Sequence, residues 1–302
     1  MLLSGLPFLS LAIVVRIVAN PLANVFQKQL TQRAANPLFV TATTYGLLVL
    51  VCLVFWPQLQ FTGLLPEFWY SMLITSLFAM LGNVFLVKAM HLGDLSVLGP
   101  INAYKAVVGM LVSIFLLNEI PGWWGLAGLV LIIAGSYMVL NDRRQPEQIF
   151  GKASPLRLFQ RPEVKLRLAA LVFSAIDGAF LKKAIILSTP TIAFFYWCVL
   201  GFGFTFIWIL FTIRLTWRAQ TRLLLVQKRT YLALCLTVGL TQMASNITLA
   251  NMPVGYALAL FQISALVSVL FGYHFFREGG IIRKLIGAGI MVAGAILIST
   301  LG

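Results

Sequence analysis

Charged residues are scarce in this chain, and acidic residues are scarcer still. Only 10% of its 302 residues are charged, and 22 Lys and Arg face 8 Asp and Glu. A soluble domain has about 25% charged residues, so the composition excludes a soluble globular protein. The chain is instead 60% hydrophobic with a mean hydropathy of +0.96, which predicts an all-α integral membrane protein.

Cysteine and histidine are also rare, and their positions exclude several kinds of site. Cys52, Cys198 and Cys235 lie in apolar stretches without a CxxC spacing, so we expect small core residues. His91 and His274 lie far apart in the sequence, near predicted helix ends. No HExxH, DxxD or phosphate-binding glycine loop is present. The sequence therefore predicts no enzyme, no metal site and no cofactor.

The net charge of +14 does not indicate a nucleic-acid partner. A nucleic-acid-binding domain places its basic residues on a soluble surface or interleaves them with aromatic residues. Here the basic residues lie mainly in the short segments between apolar stretches. In such segments positive charge indicates membrane orientation.

Ten apolar stretches, separated by Pro, Gly and Asn breakers, predict ten transmembrane helices. Their predicted ranges are 7–28, 38–56, 67–90, 95–117, 123–140, 167–188, 190–213, 230–250, 254–276 and 281–301. The longest polar segment lies between the fifth and sixth helices.

The distribution of positive charge predicts the orientation. Eighteen of the 22 Lys and Arg residues lie in or beside the five loops that follow the odd-numbered helices. The positive-inside rule places these loops in the cytoplasm and both termini outside it. No basic residue precedes the first apolar stretch, so we expect this helix to be retained as a span. The predicted location is the plasma membrane, with a bacterial inner membrane favoured.

Two segments of the chain repeat one pattern, in which an apolar helix ends at a Glu and a glycine-bearing helix follows. Three landmarks recur at a constant offset of 159 positions. The pairs are Glu119 and Glu278, Gly128 and Gly287, and Gly135 and Gly294. The offset predicts a first five-helix repeat over 1–140, a basic cytoplasmic linker over 141–165 and a second five-helix repeat over 166–302. Because five is odd, the two repeats are expected to have inverted topology.

This duplicated pattern resembles the drug/metabolite transporter superfamily, in particular its EamA-type branch. The resemblance is carried by Phe115 to Glu119 with Gly125, Gly128, Ala134 and Gly135, and by Phe275 to Glu278 with Gly287, Ala293 and Gly294. It implies ten helices around one central cavity that opens alternately to each side of the membrane. It also implies transport rather than enzyme chemistry.

Charged residues inside predicted helices are the first candidates for a substrate site, because a charge is costly to place in a bilayer. Lys105 and Asp177 lie near the middle of their helices, about 15 Å from either surface. Lys105 either contacts an anionic group of the substrate or pairs with Asp177. Asp177 is a candidate proton carrier, amine ligand or counter-ion. Arg16 is nearer the outer end of the first helix and is expected to have a gating or structural role.

Uncharged polar residues within the same helices complete the predicted substrate site. They are Asn20, Asn24, Tyr45, Asn83, Asn102, Tyr196, Gln242, Asn246 and Gln262. Asn83 and Gln242 are 159 positions apart, so they are expected on opposite walls of one cavity. The alternative for each amide is an ordinary hydrogen bond between neighbouring helices.

Three further residues are candidates for gating or structure. Pro21 interrupts the hydrogen bonds of the first helix and is expected to kink it. Glu119 and Glu278 lie at helix ends on opposite sides of the membrane. Each is expected either to cap the following helix or to pair with a basic residue when one side of the protein closes.

The predicted function is a secondary transporter of a small polar or anionic metabolite, with amino acids favoured. An amino acid would satisfy Lys105 with its carboxylate and Asp177 with its ammonium group. A flippase or exporter of a lipid-linked or amphipathic substrate is the alternative, since Lys105 also suits an anionic headgroup. An exporter of lipophilic cations ranks below both because the predicted cavity is basic. The expected partners are the substrate, the lipid bilayer and a coupling proton, and the sequence leaves monomer and homodimer open.

Overall fold

The computed structural model describes residues 6–54, 63–105, 107–108, 122–140, 160–212, 216–252 and 254–301. These residues form helices and no strand. The helices are α1 Leu6–Gln32, α2 Pro37–Val54, α3 Pro66–Leu92, α4 Trp123–Leu140, α5 Pro162–Ile186, α6 Pro190–Thr212, α7 Trp217–Val226, α8 Lys228–Asn251, α9 Val254–Phe261, α10 Ser264–Phe276 and α11 Ile281–Leu301. The all-helical prediction is confirmed for this part of the chain.

Six of these helices are long and apolar enough to cross a membrane. They cover Phe8–Gln32, Pro37–Val54, Pro66–Leu92, Pro190–Thr212, Lys228–Asn251 and Ile281–Ile298. Trp123–Val139 and Ser264–Phe276 are shorter apolar helices. The chain is therefore a multi-pass membrane protein. Helix α5 is as long as the others, but Glu163, Arg167 and Asp177 reduce its hydropathy.

The prediction of continuous fourth and ninth helices is wrong. The fourth begins as the single turn Leu95–Leu98 and the 3-10 turn Pro100–Ala103, because Pro100 has no N–H with which to continue an α-helix. The ninth is divided into α9 and α10. At this division the Ser264 hydroxyl donates to the Phe261 carbonyl at 2.6 Å, a local bond that competes with helical hydrogen bonding. Both interruptions lie beside the cavity described below.

Helix α5 begins at Pro162, five residues earlier than predicted, so Arg167 lies in the second turn of the helix and not at its first residue. The predicted loop between the seventh and eighth spans contains the amphipathic helix α7. This helix has no fully buried residue, and Trp217 packs edge-on against Phe39 of α2. Most of the predicted linker, 141–159, lies outside the described residues.

Helix packing follows the offset of 159 positions. Helix α1 packs against α8, and α3 packs against α5. Adding 159 positions converts α1 into α5 and α3 into α8, so the two packed pairs are equivalent. Helix α2 packs against α6 and α4 against α11, and each of these pairs joins two equivalent helices. The three cysteines are buried in this framework, as predicted.

Four glycines bring α4 and α11 into close contact. A methyl group on Gly128 would lie 2.6 Å from the Gly294 carbonyl oxygen, and one on Gly135 would lie 2.6 Å from the Gly287 oxygen. Gly128 thus faces Gly294, and Gly135 faces Gly287, which is the pattern of two equivalent helices running antiparallel. Small residues of this kind allow membrane helices to approach at backbone distance.

We predict that Gly135→Ala lowers the melting temperature of the purified protein in detergent. The added methyl group has no space at the crossing, and overpacking of this kind costs about 1 to 3 kcal/mol. The control is Gly289→Ala in α11, whose methyl group would have no neighbour within 4 Å. We expect the control to melt at or slightly above the wild-type temperature, because alanine favours a helix over glycine by up to about 1 kcal/mol. Equal melting of Gly135→Ala and wild type would contradict the close crossing.

Candidate functional site

A cavity of about 160 Å³ lies among α1, α3, α5 and α8, beside the two interrupted helices. Such a volume accommodates on the order of ten water molecules, or a small metabolite in their place. Its wall combines charged and amide groups with apolar ones. The polar lining residues are Arg16, Asn20, Asn24, Gln27, Asn83, Asn102, Lys105, Arg167, Ser174, Asp177, Thr241, Gln242, Ser245 and Gln262.

The structure brings together most residues of the predicted substrate site. Eight of them line this cavity: Asn20, Asn24, Asn83, Asn102, Lys105, Asp177, Gln242 and Gln262. Asn83 on α3 and Gln242 on α8, the pair related by the offset, are both among them. Arg16, for which a gating or structural role was predicted, also lines the cavity.

Three predicted site residues do not line the cavity. Tyr45 lies behind Asn83, whose Nδ2 donates to the Tyr45 hydroxyl at 3.0 Å. Asn246 accepts from Gln242 Nε2 at 3.1 Å and so supports a lining residue. Tyr196 packs against other aromatic rings, with its centroid 4.7 Å from that of Trp69.

The neighbour of Tyr196 on α6, Trp197, lines the cavity instead. Its indole Nε1 is buried with no hydrogen-bond partner among the described residues. One residue corresponds to a rotation of about 100° on a helix. Helix α6 is apolar on all sides, so its sequence pattern does not indicate whether Tyr196 or Trp197 faces the cavity.

The remaining predicted residues lie outside the cavity lining. Pro21 lies within α1, which continues from Leu6 to Gln32. Glu278 lies in the turn between α10 and α11, where it belongs to a charge cluster described below. Glu119 lies outside the described residues.

Lys105 and Asp177 approach the same part of the cavity without forming an ion pair within 4.0 Å. Lys105 Nζ donates to Ser174 Oγ at 2.9 Å. Ser174 precedes Asp177 by three residues, so both lie on one face of α5. Asp177 Oδ1 accepts from Thr75 Oγ1 at 2.8 Å. Each charge is thus held by a hydroxyl group and remains available to a substrate.

Arg167 lines the cavity, although it was not among the predicted site residues. Its Nε donates to the Leu98 carbonyl at 3.0 Å, and its Nη2 donates to Asn102 Oδ1 at 3.1 Å. It therefore attaches α5 to the interrupted start of the fourth helix. Arg167 precedes Ser174 by seven residues and Asp177 by ten. In a helix this spacing places all three residues on one face.

An amide pair connects the two interrupted helices across the cavity. Asn102 Nδ2 donates to Gln262 Oε1 at 3.1 Å. Asn102 lies in the 3-10 turn Pro100–Ala103, and Gln262 lies where the ninth helix divides. Unwound helix segments of this kind expose backbone groups and often line the substrate sites of transporters.

A cluster of four charged residues lies beyond one end of the cavity, next to Gln27. Lys28 Nζ is 2.8 Å from Glu278 Oε1 and 3.8 Å from Asp94 Oδ1. Lys284 Nζ is 3.8 Å from Asp94 Oδ2. Lys28 and Glu278 are 250 positions apart in the sequence, so this pair joins the first half of the chain to the second.

Glu278 also binds backbone groups of the first half. Its Oε1 accepts from Leu95 N at 2.9 Å, and its Oε2 accepts from Ser96 N at 2.7 Å. The carboxylate fits because Gly272 has no side chain, and an added methyl group there would collide with Glu278 Oε2. Of the two alternatives for Glu278, the structure shows the pairing with a basic residue, Lys28. Glu278 also caps a helical turn, but this is the turn Leu95–Leu98 in the first half of the chain and not the helix that follows Glu278.

The pKa of Glu278 reflects this environment. Burial alone would raise the pKa, but the charge of Lys28 and the hydrogen bonds from Lys28 and Ser96 lower it below its ordinary value. A lowered pKa in the folded state means that the ionised carboxylate stabilises the fold at neutral pH. This stabilisation is lost as the pH falls below the ordinary pKa and through the folded-state value.

The lining of the cavity suits the binding of a small charged molecule. Within the described ranges no group of three or more His, Cys, Asp and Glu could hold a metal ion. The cavity has cations, one carboxylate and several amides, which together recognise a small molecule with charged and polar groups.

Comparisons with known proteins agree with this architecture. Residues 8–141 match the model of the EamA-like transporter family. The resemblance drawn from the sequence is thus confirmed over the first half of the chain. No curated protein matches the sequence.

Twenty-seven chains of solved structures are similar to this chain. One of them, from a crystal structure, is 17% identical, covers 97% of this chain and 97% of its own length, and superposes with a TM-score of 0.63. At this identity the similarity shows a shared fold alone. That fold extends over both halves of the chain.

We predict that Glu278→Gln lowers the melting temperature in detergent. The variant leaves buried Lys28 with only the more distant carboxylate of Asp94, at 3.8 Å, and breaking a buried ion pair costs about 3 kcal/mol. Glu67→Gln is the control, since Glu67 is exposed in the first turn of α3. We expect the destabilisation by Glu278→Gln to shrink as the pH falls below the ordinary carboxyl pKa of 4.5, and to be lost below the lower folded-state pKa, where wild-type Glu278 is itself protonated. A destabilisation that is independent of pH would show that the charge of Glu278 does not matter.

Proposed function

Since its first half matches a family of membrane transporters, we propose that this chain is a secondary transporter of a small polar or anionic metabolite, with amino acids favoured. The observation that carries the proposal is the cavity with Lys105 and Asp177 at hydrogen-bonding distance from hydroxyl groups and not from each other. A charge that is buried in a membrane protein without an ionic partner is expensive unless a ligand supplies one.

We further propose that the protein works by alternating access between two inverted five-helix repeats. Three observations support this. The first is that helices related by the offset of 159 positions make equivalent packing contacts. The second is that the equivalent helices α4 and α11 run antiparallel where they cross. The third is that the two interrupted helices meet at the cavity. The proposal includes the division into 1–140, 141–165 and 166–302, and both termini outside the cytoplasm of a bacterial cell.

The cluster around Lys28 and Glu278 is proposed as the closed gate at one end of the cavity. It joins the two halves by an ion pair and two backbone hydrogen bonds. A substrate leaving past Gln27 would need these contacts to separate. In the proposed orientation this end faces the cytoplasm.

The size and lining of the cavity favour a small molecule over a lipid-linked one. The cavity of about 160 Å³ suits a small molecule. The charged and amide groups line an interior space between the helices, and a polar headgroup sliding along the bilayer would need them on a lateral face.

We predict that Lys105→Ala strongly lowers transport in proteoliposomes containing the purified protein. The screen uses labelled amino acids, organic anions and sugar phosphates. Lys88→Ala is the control, because Lys88 is exposed on α3 and does not line the cavity. Loss of a charged hydrogen bond to substrate corresponds to roughly 1.5 to 3 kcal/mol, or about 10- to 100-fold in uptake at low concentration. Wild-type uptake by Lys105→Ala would contradict the proposed site.

We predict that Asp177→Asn separates the three roles open to this carboxylate. If Asp177 binds an amine, the variant loses uptake of amino acids both with and without the imposed pH gradient. If it carries a proton, substrate still binds, but a pH gradient no longer drives its accumulation. Unchanged uptake and coupling would leave Asp177 as a counter-ion only. The measurement is uptake with and without an imposed pH gradient, at matched protein content.

A further inference from the structure

The three cations that line the cavity differ in how well the protein satisfies them. Arg167 has two acceptors, the Leu98 carbonyl and Asn102 Oδ1. Lys105 has the hydroxyl group of Ser174. None of the three has a carboxylate within 4.0 Å in the described part of the chain, where ion pairs join only Lys28 and Lys284 to Glu278 and Asp94.

Arg16 is the least satisfied of the three. Its Nε donates to Ser245 Oγ at 2.7 Å, and its guanidinium lies 4.7 Å from the ring centroid of Phe261. Its Nη1 is buried and has no hydrogen-bond partner among the described residues. A buried donor that lacks an acceptor costs about 1 to 3 kcal/mol, and more when it is charged. The polar contacts of Arg16 hold it at the cavity and away from the membrane surface.

The only carboxylate that lines the cavity, in the described residues, is Asp177. It lies one helical turn beyond Ser174, the partner of Lys105, which is a rise of about 4.5 Å along α5. The ammonium and carboxylate groups of an α-amino acid can therefore meet Asp177 and Lys105 together. Arg16, which is held by Ser245 of α8 and by Phe261, has no anionic partner among the residues that the structure describes.

We propose, building on the transport function above, that the substrate is an α-amino acid with a second acidic group on its side chain, and that Arg16 recognises this group. In the bound state the α-carboxylate contacts Lys105, the ammonium contacts Asp177 and the side-chain acid contacts Arg16. Arg167 holds the start of the fourth helix in place through its two hydrogen bonds.

Charge balance distinguishes this substrate from a neutral amino acid. Three cations and one carboxylate give the cavity a net charge of +2. A neutral amino acid leaves that charge unchanged, whereas an acidic amino acid reduces it to +1. In a site of low dielectric constant each uncompensated charge is expensive, so the acidic substrate is favoured.

The test measures uptake by wild-type proteoliposomes at equal, low concentrations of labelled substrates. The acidic substrates are aspartate, glutamate and phosphoserine. Comparing them shows whether the site prefers a carboxylate or a phosphate on the side chain. The neutral controls are asparagine and glutamine, and succinate supplies two carboxylates without an amine. We expect at least tenfold faster uptake of an acidic amino acid than of its amide or of succinate.

The variant Arg16→Gln tests the recognising residue. We expect it to lower uptake of the acidic amino acid at least tenfold while uptake of the corresponding amide is unchanged or increased. Arg16→Lys should retain part of the preference. Arg33→Gln is the control, because Arg33 is exposed at the other end of α1. Stabilisation of the purified protein against heat by each ligand gives a readout that does not depend on transport.

The possible results separate the inference from the function on which it rests. Preference for a neutral amino acid, or an acid-to-amide ratio that is the same in Arg16→Gln and wild type, would overturn the inference and leave the transporter intact. Uptake of succinate as fast as aspartate would also overturn it, since the amine would have no role. Uptake of none of these compounds, nor of the other anions and sugar phosphates in the earlier screen, would refute the proposed function itself.

Discussion

The cost of removing charge from water is the physical constraint on which this structure depends. A membrane protein can meet that cost by pairing opposite charges or by exposing a charge to a polar cavity. This chain does both, at two separate places. Lys28, Lys284, Glu278 and Asp94 associate beyond one end of the cavity. Arg16, Lys105, Arg167 and Asp177 line the cavity and form no ion pair with another described residue.

The paired and the unpaired charges lie at different places in the fold. The paired group connects α1 to the turn between α10 and α11, and therefore links segments from the two ends of the chain. The unpaired group lies where the two interrupted helices meet, and its members are held by hydroxyl, amide and carbonyl groups. The proposed alternating access requires that the paired group separates when this end of the cavity opens and that the charges lining the cavity meet the substrate.

Much of the fold could be predicted from the sequence because apolar length and glycine spacing are local signals. The helices around Gly128 and Gly287 were predicted within a few residues, and eight of the predicted polar residues line the cavity. Arg167 was missed because hydropathy treats a charge as the end of a span, although its spacing from Ser174 and Asp177 is helical. The partner of Glu278 could not be predicted, since nothing local connects it to Lys28, 250 positions away. Tyr196 was chosen over Trp197 because an almost uniformly apolar helix carries little information on which face is inside.

The central claim is that the unpaired charges are completed by the substrate. The most direct test is an experimental structure of the protein with its transported substrate bound. The claim predicts an anionic group of the substrate within hydrogen-bond distance of Lys105 Nζ, with Asp177 still separated from Lys105. A substrate bound elsewhere, with Lys105 and Asp177 joined in a direct ion pair, would contradict it.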